Sequence, residues 1–236
     1  MSEKEKQPGN RKKAGKSRHI KRKKRSTKID NQGSPGIEHL LFLGPAKSNR
    51  SKNRAYGISL GRKRDHDSIA GLVRLMEVED YSSAAATALA ACGEEAPSTI
   101  MPFADRFLAF LNAEQDWLVA SSMEALTWIC KYAPQVVWSR RDELIGAFNS
   151  GTLEIQHSAV KILASLADSS PKRRKLLSPM LLEILQQCGK RVLPDWTEIL
   201  FPVLAGRAKA GAVRVLRLRM DELQGESRER IEQIIG

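Results

Sequence analysis

Long apolar runs are missing from this chain. Across 236 residues none approaches the 18 that a membrane-spanning helix requires, and the N-terminus lacks the apolar stretch of a secretory leader. A soluble intracellular protein with no membrane partner is expected. Cysteine is scarce: Cys92, Cys130 and Cys188 stand dozens of residues apart, which excludes a disulfide framework and the paired spacings of a zinc site. They are expected to serve as small buried hydrophobes of a reducing compartment. Of the four histidines, His19, His39 and His66 fall in the basic N-terminal part. Only His157 falls in the apolar-patterned body, mid-helix and without a second His or Cys at ligand spacing. The acidic pair Asp142-Glu143 fits a helix start, where negative charge complements the macrodipole, and Glu94-Glu95 reads as solvated loop. No catalytic set, metal site or cofactor is expected, so the chain reads as a non-enzyme.

Positive charge is abundant and unevenly placed. Residues 1–65 hold 20 Lys+Arg against 5 Asp+Glu, a net of +15, whereas residues 66–236 carry a net of −3. Residues 1–36 are Lys, Arg, Ser, Gly, Asn and Gln with almost no large apolar side chain, the composition of a disordered basic tail. Within it, Arg11, Lys12 and Lys13, then Lys21, Arg22, Lys23, Lys24 and Arg25, are candidate contacts to nucleic-acid phosphates, where bound counterions would be released without any reading of sequence. The second run also fits a nuclear import signal if the source is eukaryotic; otherwise the cytoplasm is expected. A tail that only solubilises, with no partner, is the bland alternative. Residues 37–66 read as a linker with a short apolar segment, Ile37, Leu40, Leu41 and Leu43, that caps the folded body or serves a partner as a linear motif. From 46 to 64 the chemistry is Ser, Asn, Gly, Arg and Lys, read as mobile linker. His39 to Ser48 fails as a phosphate loop, because Ala46 stands where a glycine must precede Lys47.

From about Ser68 to Gly206 an apolar pattern returns every 37 residues. Leu89, Leu126, Leu163 and Leu200 form one column; Ala88, Ala125, Ile162 and Ile199 a second; Cys92, Ile129, Leu166 and Val203 a third; Tyr81, Leu118, Ile155 and Val192 a fourth. Shared positions 81, 85, 88, 89 and 92 mark one face of a helix. A preceding helix per period shows the columns Ala70, Phe107, Leu144, Leu181 and Val73, Phe110, Ala147, Ile184. A helical hairpin of this length cannot bury its apolar face alone, but stacked copies can. The prediction is an all-α protein, a short α-solenoid of about four antiparallel hairpins over residues 67–236.

Local signals give the helices. Hairpin 1 is expected as Ser68–Val78 and Tyr81–Cys92, closed by Gly93; hairpin 2 as Thr99–Leu111 and Trp117–Tyr132, ended before Pro134. Hairpin 3 is expected as Arg141–Asn149 and Glu154–Ala167, and hairpin 4 as Pro171–Cys188 and Asp195–Leu204. Asp80 and Asp116 stand where N-caps are needed, Ser170 caps a helix opened by Pro171, and Pro202 should kink or end the last helix. Ala210–Leu223 and Ser227–Ile235 complete a terminal unit outside the period.

The paired helices, the 37-residue period and the leucine column resemble the HEAT and armadillo-like helical repeat superfamily. That resemblance implies a scaffold or adaptor binding other macromolecules along an extended surface, with a protein partner on the solenoid; enzymes are a small minority. One such minority, the HEAT-like DNA glycosylases, would need Trp117, Trp128, Trp138 or Trp196 on a basic concave face. Here the outward second-helix columns are Thr87, Glu124, Lys161, Glu198 and Ser83, Ala120, His157, Pro194, which make no phosphate track. Each Trp is expected as a core or cap residue. The informative charges lie at the connections from a second helix to the next first helix: Arg140 and Arg141, then Lys172, Arg173, Arg174 and Lys175, then Arg207 with Lys209. Stacking aligns these along one edge, extended by Arg214 and Arg217 on the following helix. Scattered surface charge is the alternative reading. The oligomeric state is not legible.

Overall fold

The computed structural model describes residues 37–236; the expected tail over 1–36, with Arg11 to Lys13 and Lys21 to Arg25, lies outside the described residues. Among the described residues the chain is helical throughout, with no strand and no helix long and apolar enough to cross a membrane. The helices are α1 (Lys47–Lys63), α2 (His66–Leu75), α3 (Glu79–Glu95), α4 (Ala104–Phe110), α5 (Asp116–Tyr132) and α6 (Pro134–Ser139). They continue as α7 (Arg141–Ser150), α8 (Leu153–Asp168), α9 (Pro171–Gln187), α10 (Leu193–Leu200), α11 (Gly206–Arg219) and α12 (Glu226–Ile235).

The second helices α3, α5, α8 and α10 pack side by side as the inner layer, and α2, α4, α7 and α9 each lie against their own partner. Leu89, Leu126, Leu163 and Leu200 are all fully buried, as are Ala88, Ala125 and Ile162 beside them. At about 1.5–3 kcal/mol for each buried Leu, this column is a main source of cohesion between hairpins. Tyr81, Val192 and Ile199 are only half-buried, since the ends of the columns meet fewer neighbours. Ser82 Oγ donates to Ser121 Oγ at 2.8 Å, which satisfies both hydroxyls inside the α3–α5 interface.

The reading of residues 46–64 as mobile linker is corrected: they form the 17-residue helix α1. It packs on α3 through Asn53, Gly57, Leu60 and Gly61, so the interface is made of small side chains rather than an apolar stripe. A Cβ on Gly57 would collide with the Ala88 carbonyl oxygen, and one on Gly61 would lie 3.1 Å from that of Cys92. Contacts advancing by four residues on both helices mean that α1 runs parallel to α3, in the manner of an extra second helix. Ahead of it, Ile37 and Leu41 are buried, Ile37 against Gly71 of α2, while Leu40, Phe42 and Leu43 stay exposed. Asn53 fixes this segment by accepting from Phe42 N–H at 2.8 Å and donating to its carbonyl at 2.9 Å.

Other differences have local causes. Pro97 and Pro102 break the expected Thr99–Leu111 helix into two 3₁₀ turns and the short α4. Pro134 does not merely stop α5; as a first-turn proline it opens α6, as Pro97 and Pro171, 37 residues before and after it, open the 3₁₀ turn Pro97–Thr99 and α9. Asp80 and Asp116 are not N-caps, because α3 and α5 begin one or two residues early and place both carboxylates in the first turn. Gly93 lies buried within α3, where a Cβ would strike Ile100, and does not end it. Ser170 caps α9 as expected, accepting from Arg173 N–H at 3.2 Å, and α10 gives way to a 3₁₀ turn at Phe201–Val203, where Pro202 forbids its continuation. Helix α11 starts at Gly206, four residues before the expected Ala210.

Candidate nucleic-acid interface

The basic edge forms where α6 and α7 meet the start of α9. Pro134 sets the direction of α6, whose last turn carries Trp138, and Arg140 turns the chain into α7. Ser170 does the same for α9, so its first turn presents Lys172, Arg173, Arg174 and Lys175. The two starts bring Trp138 between cations from separate repeats: the Arg141 guanidinium carbon is 4.9 Å from the ring centroid and that of Arg173 is 5.3 Å. Trp138, Arg141, Ser170, Lys172, Arg173 and Leu176 line a cavity of about 470 Å³. A guanidinium stacked on an indole keeps its N–H edge free for an anion, so the stack orients charge without consuming it.

The remaining cations divide into held and unheld. Arg140 Nε donates to Glu143 Oε1 at 2.6 Å, which raises the arginine further above its ordinary range. Arg174 pairs with Asp168 at 2.5 Å, and Arg141 with Asp142 at 3.7 Å. Arg173 also donates to Ser169 Oγ at 2.8 Å. Lys172 and Lys175 are exposed and make no hydrogen bond or ion pair among the described residues. Arg207 and Lys209 fall in the first turn of α11, with Lys209 5.0 Å from the Phe201 ring.

Arg214 and Arg217 are exposed on α11 but do not join this cleft. Ala205 N–H donates to Ser178 Oγ at 3.1 Å, and Arg219 reaches the Leu185 carbonyl at 2.9 Å, so α11 runs alongside α9 in the same direction. Arg214 and Arg217 therefore flank the far half of α9, roughly 15 Å beyond Lys175 at 1.5 Å per residue. The arginine that sequence reasoning passed over is Arg219, largely buried, bonded to the Leu185 and Gln186 carbonyls at the end of α9 and to Glu222 at 2.9 Å. Its position at the end of a helix, two residues after Arg217, gave no signal in the sequence. Trp138 was also missed as part of the basic edge; its place three residues before Arg141 in the chain was the available clue.

A second surface is the groove over the inner layer, about 690 Å³, with Phe42, Pro45 and Arg50 as one wall. Ser83, Thr87, Ala120, Glu124 and Lys161 form its floor, as the outward columns require. Pro194 is buried in the first turn of α10, and His157 turns toward Trp196 instead, so these two leave that surface. Arg50 pairs with Glu124 at 3.1 Å; burial still pushes the Glu124 carboxyl up, with Arg50 opposing. Asp80, Glu124 and Glu154 against Arg50 and Lys161 make a mixed-charge groove rather than a phosphate track. Trp128 stands at its rim with the Lys131 ammonium 5.1 Å from the ring, Trp117 is half-buried, and Trp196 is buried. The cysteines are free and buried; the Cys130 thiol is pushed up to about 11 by burial. Among the described residues no three His, Cys, Asp or Glu side chains gather closely enough to hold a metal ion.

An all-α stack of helical hairpins with a basic cleft on one edge and a mixed-charge groove across its inner layer is the class these features define. No protein-family profile matches the chain, and no curated protein matches it by sequence. Solved structures do match in fold. One is the crystal structure of an engineered protein, with a TM-score of 0.57 and 16% identity, covering 84% of this chain and 93% of that one. Another is a chain in a homology model of the full-length AP-3 complex in an intermediate open conformation, with a TM-score of 0.53 and 12% identity. That match covers 84% of this chain, which spans 43% of the matched chain.

Proposed function

We propose that this protein is a non-enzymatic helical-repeat adaptor, anchored to RNA or DNA backbone by its basic N-terminal segment and by the α7–α9 edge, with a protein partner received on the solenoid surface. The observation that carries the reading is the partition of charge: +15 over residues 1–65 against −3 beyond. The gathering of Arg141, Lys172 and Arg173 in one cleft adds a basic point on an otherwise acidic body. The mixed-charge groove suits a peptide or protein surface better than a polyanion, and the fold likeness to a chain of the AP-3 complex is in keeping with use in assembly.

The test is a titration of full-length protein and of a variant lacking residues 1–30 against short RNA and DNA duplexes at two salt concentrations. Removing 13 basic side chains should flatten the salt dependence, by roughly 0.9 in log slope for each duplex phosphate no longer neutralised, and weaken binding by orders of magnitude. Unchanged affinity refutes the anchor. The second reading, a protein adaptor whose tail is a targeting signal or a ligand for an acidic protein, rests on the fit of Lys21 to Arg25 to an import signal. It requires that such a protein bind the tail at physiological salt while nucleic acid binds no better than to any polycation of equal charge.

A further inference from the structure

The cleft at Trp138 differs from an ordinary basic patch in three respects. Its cations come from two repeats, Arg141 from α7 and Lys172 and Arg173 from α9. Its wall is aromatic and apolar, Trp138 and Leu176, the latter 59% exposed although leucine gains nothing from facing water. Its cations and its apolar wall border one half-open depression instead of lying apart on the surface. Duplex phosphates would meet the cations but would make no use of Leu176 or of the indole–guanidinium stack, because paired bases are stacked away inside the helix. An acidic peptide would meet the cations through its carboxylates, but its acidic side chains carry no ring to lay on the indole–guanidinium stack. A nucleotide with an unpaired base uses both halves: its phosphate meets the ammonium and guanidinium groups, and its base extends the indole–guanidinium stack.

We propose that this cleft holds one nucleotide unit of a single strand, with the phosphate between Lys172 and Arg173 and the base against Trp138 and its arginines. The inference rests on the nucleic-acid reading above and sharpens it: the tail supplies attraction to any backbone, and the cleft supplies preference for unpaired strands.

The experiment uses full-length protein and fluorescence anisotropy with a single-stranded 12-mer and a hairpin duplex of similar phosphate number. Trp138→Ala should weaken single-strand binding at least tenfold and duplex binding less than threefold, while Trp138→Phe restores most of the loss. Lys172→Gln with Arg173→Gln, on the exposed side of the cleft, should weaken both and lower the single-strand salt slope by roughly 0.7, the share of the one phosphate they hold. These lysine and arginine variants keep the proposal testable if Trp138→Ala loosens the fold, which thermal melting will show. Equal losses for single strand and duplex in Trp138→Ala, or none in either, overturn the proposal. Saturation by free AMP at the concentration that suffices for the 12-mer assigns the pocket to free nucleotides and overturns the strand assignment. Displacement by a phosphopeptide but not by the 12-mer overturns it as well. Loss of all binding on deleting residues 1–30, with no effect of the cleft variants, leaves the tail reading standing and this one refuted; absence of any binding by the intact chain refutes both.

Discussion

The indole N–H of Trp196 donates to Nδ1 of His157 at 3.1 Å, linking α10 to α8. An imidazole that accepts at Nδ1 carries its proton on Nε2 and is neutral in that arrangement. Burial, seconded by Lys161, lowers the His157 pKa from its ordinary 6.5, and Asp195 opposes this only in part. The unfolded chain then binds a proton more readily than the folded one, so this contribution to stability is complete above about pH 6.5 and is lost as the pH falls through the depressed folded value. Chemical denaturation between pH 7.5 and 5 should show the decline in the wild type and a shallower one in His157→Gln. Parallel profiles would mean that other groups govern that range.

The leucine column sets the scale of cooperativity. Leu126 and Leu163 are fully buried between neighbouring hairpins. Replacement of either by Ala should cost about 2–5 kcal/mol in urea titrations, whereas exposed Leu218, at 74% accessibility, should tolerate the same change within about 0.5 kcal/mol. A comparable loss at Leu218 would contradict the placement of α11.

Two helical glycines make opposite predictions. Gly146 in α7 has open space where a Cβ would stand, so Gly146→Ala should stabilise by up to about 1 kcal/mol through helix propensity. Gly57→Ala has the same propensity gain but meets the Ala88 backbone, and should destabilise by about 1–3 kcal/mol as α1 is forced off α3. Both are read from melting midpoints, and a stabilising Gly57→Ala would rule out the close approach.

Arg219 and Arg217 lie two residues apart and should behave differently. Arg219→Ala strands the Leu185 and Gln186 carbonyls at the end of α9 and should cost about 1–3 kcal/mol, because hydrogen bonds to a charged group are removed at a largely buried site. Arg217→Ala, exposed, should leave stability within about 0.5 kcal/mol. Equal effects would argue that neither caps the helix.

What the sequence made legible is what large apolar side chains encode. The columns through Leu89 and Cys92 stand out because the same position of every second helix is apolar, Leu89, Leu126, Leu163 and Leu200 in one and Cys92, Ile129, Leu166 and Val203 in the other, so the inner layer could be placed from spacing alone. Helix α1 has no such amplitude. Its buried positions are Asn53, Gly57 and Gly61, residues that read as linker, and its one large buried residue is Leu60. Asp65, which caps α2 by accepting from Ser68 N–H at 3.1 Å, was likewise hidden behind the basic run Arg62 to Arg64. On the edge, the pattern located Arg141 and Lys172–Lys175 on neighbouring connections, but the cleft depends on α6, a separate short helix that Pro134 opens where the apolar columns marked only a connection.

The interface of α1 with α3 repeats itself every four residues on both helices, Gly57 at Ala88 and Gly61 at Cys92. A surface of that kind is nearly its own translate, since sliding α1 by one turn sets a small residue against a small residue again. Among the small residues shape selects a register only weakly, and Leu60 is the one large side chain that resists the slide. Much of the selection falls to polar bonds outside the contact: Arg50 to Glu124, Arg54 to Glu94, Arg62 to Glu95, and the Asn53 clasp on Phe42. Three of these four are exposed ion pairs, which weaken as ionic strength rises. The N-terminal end of the described array is therefore aligned in part by contacts that salt weakens.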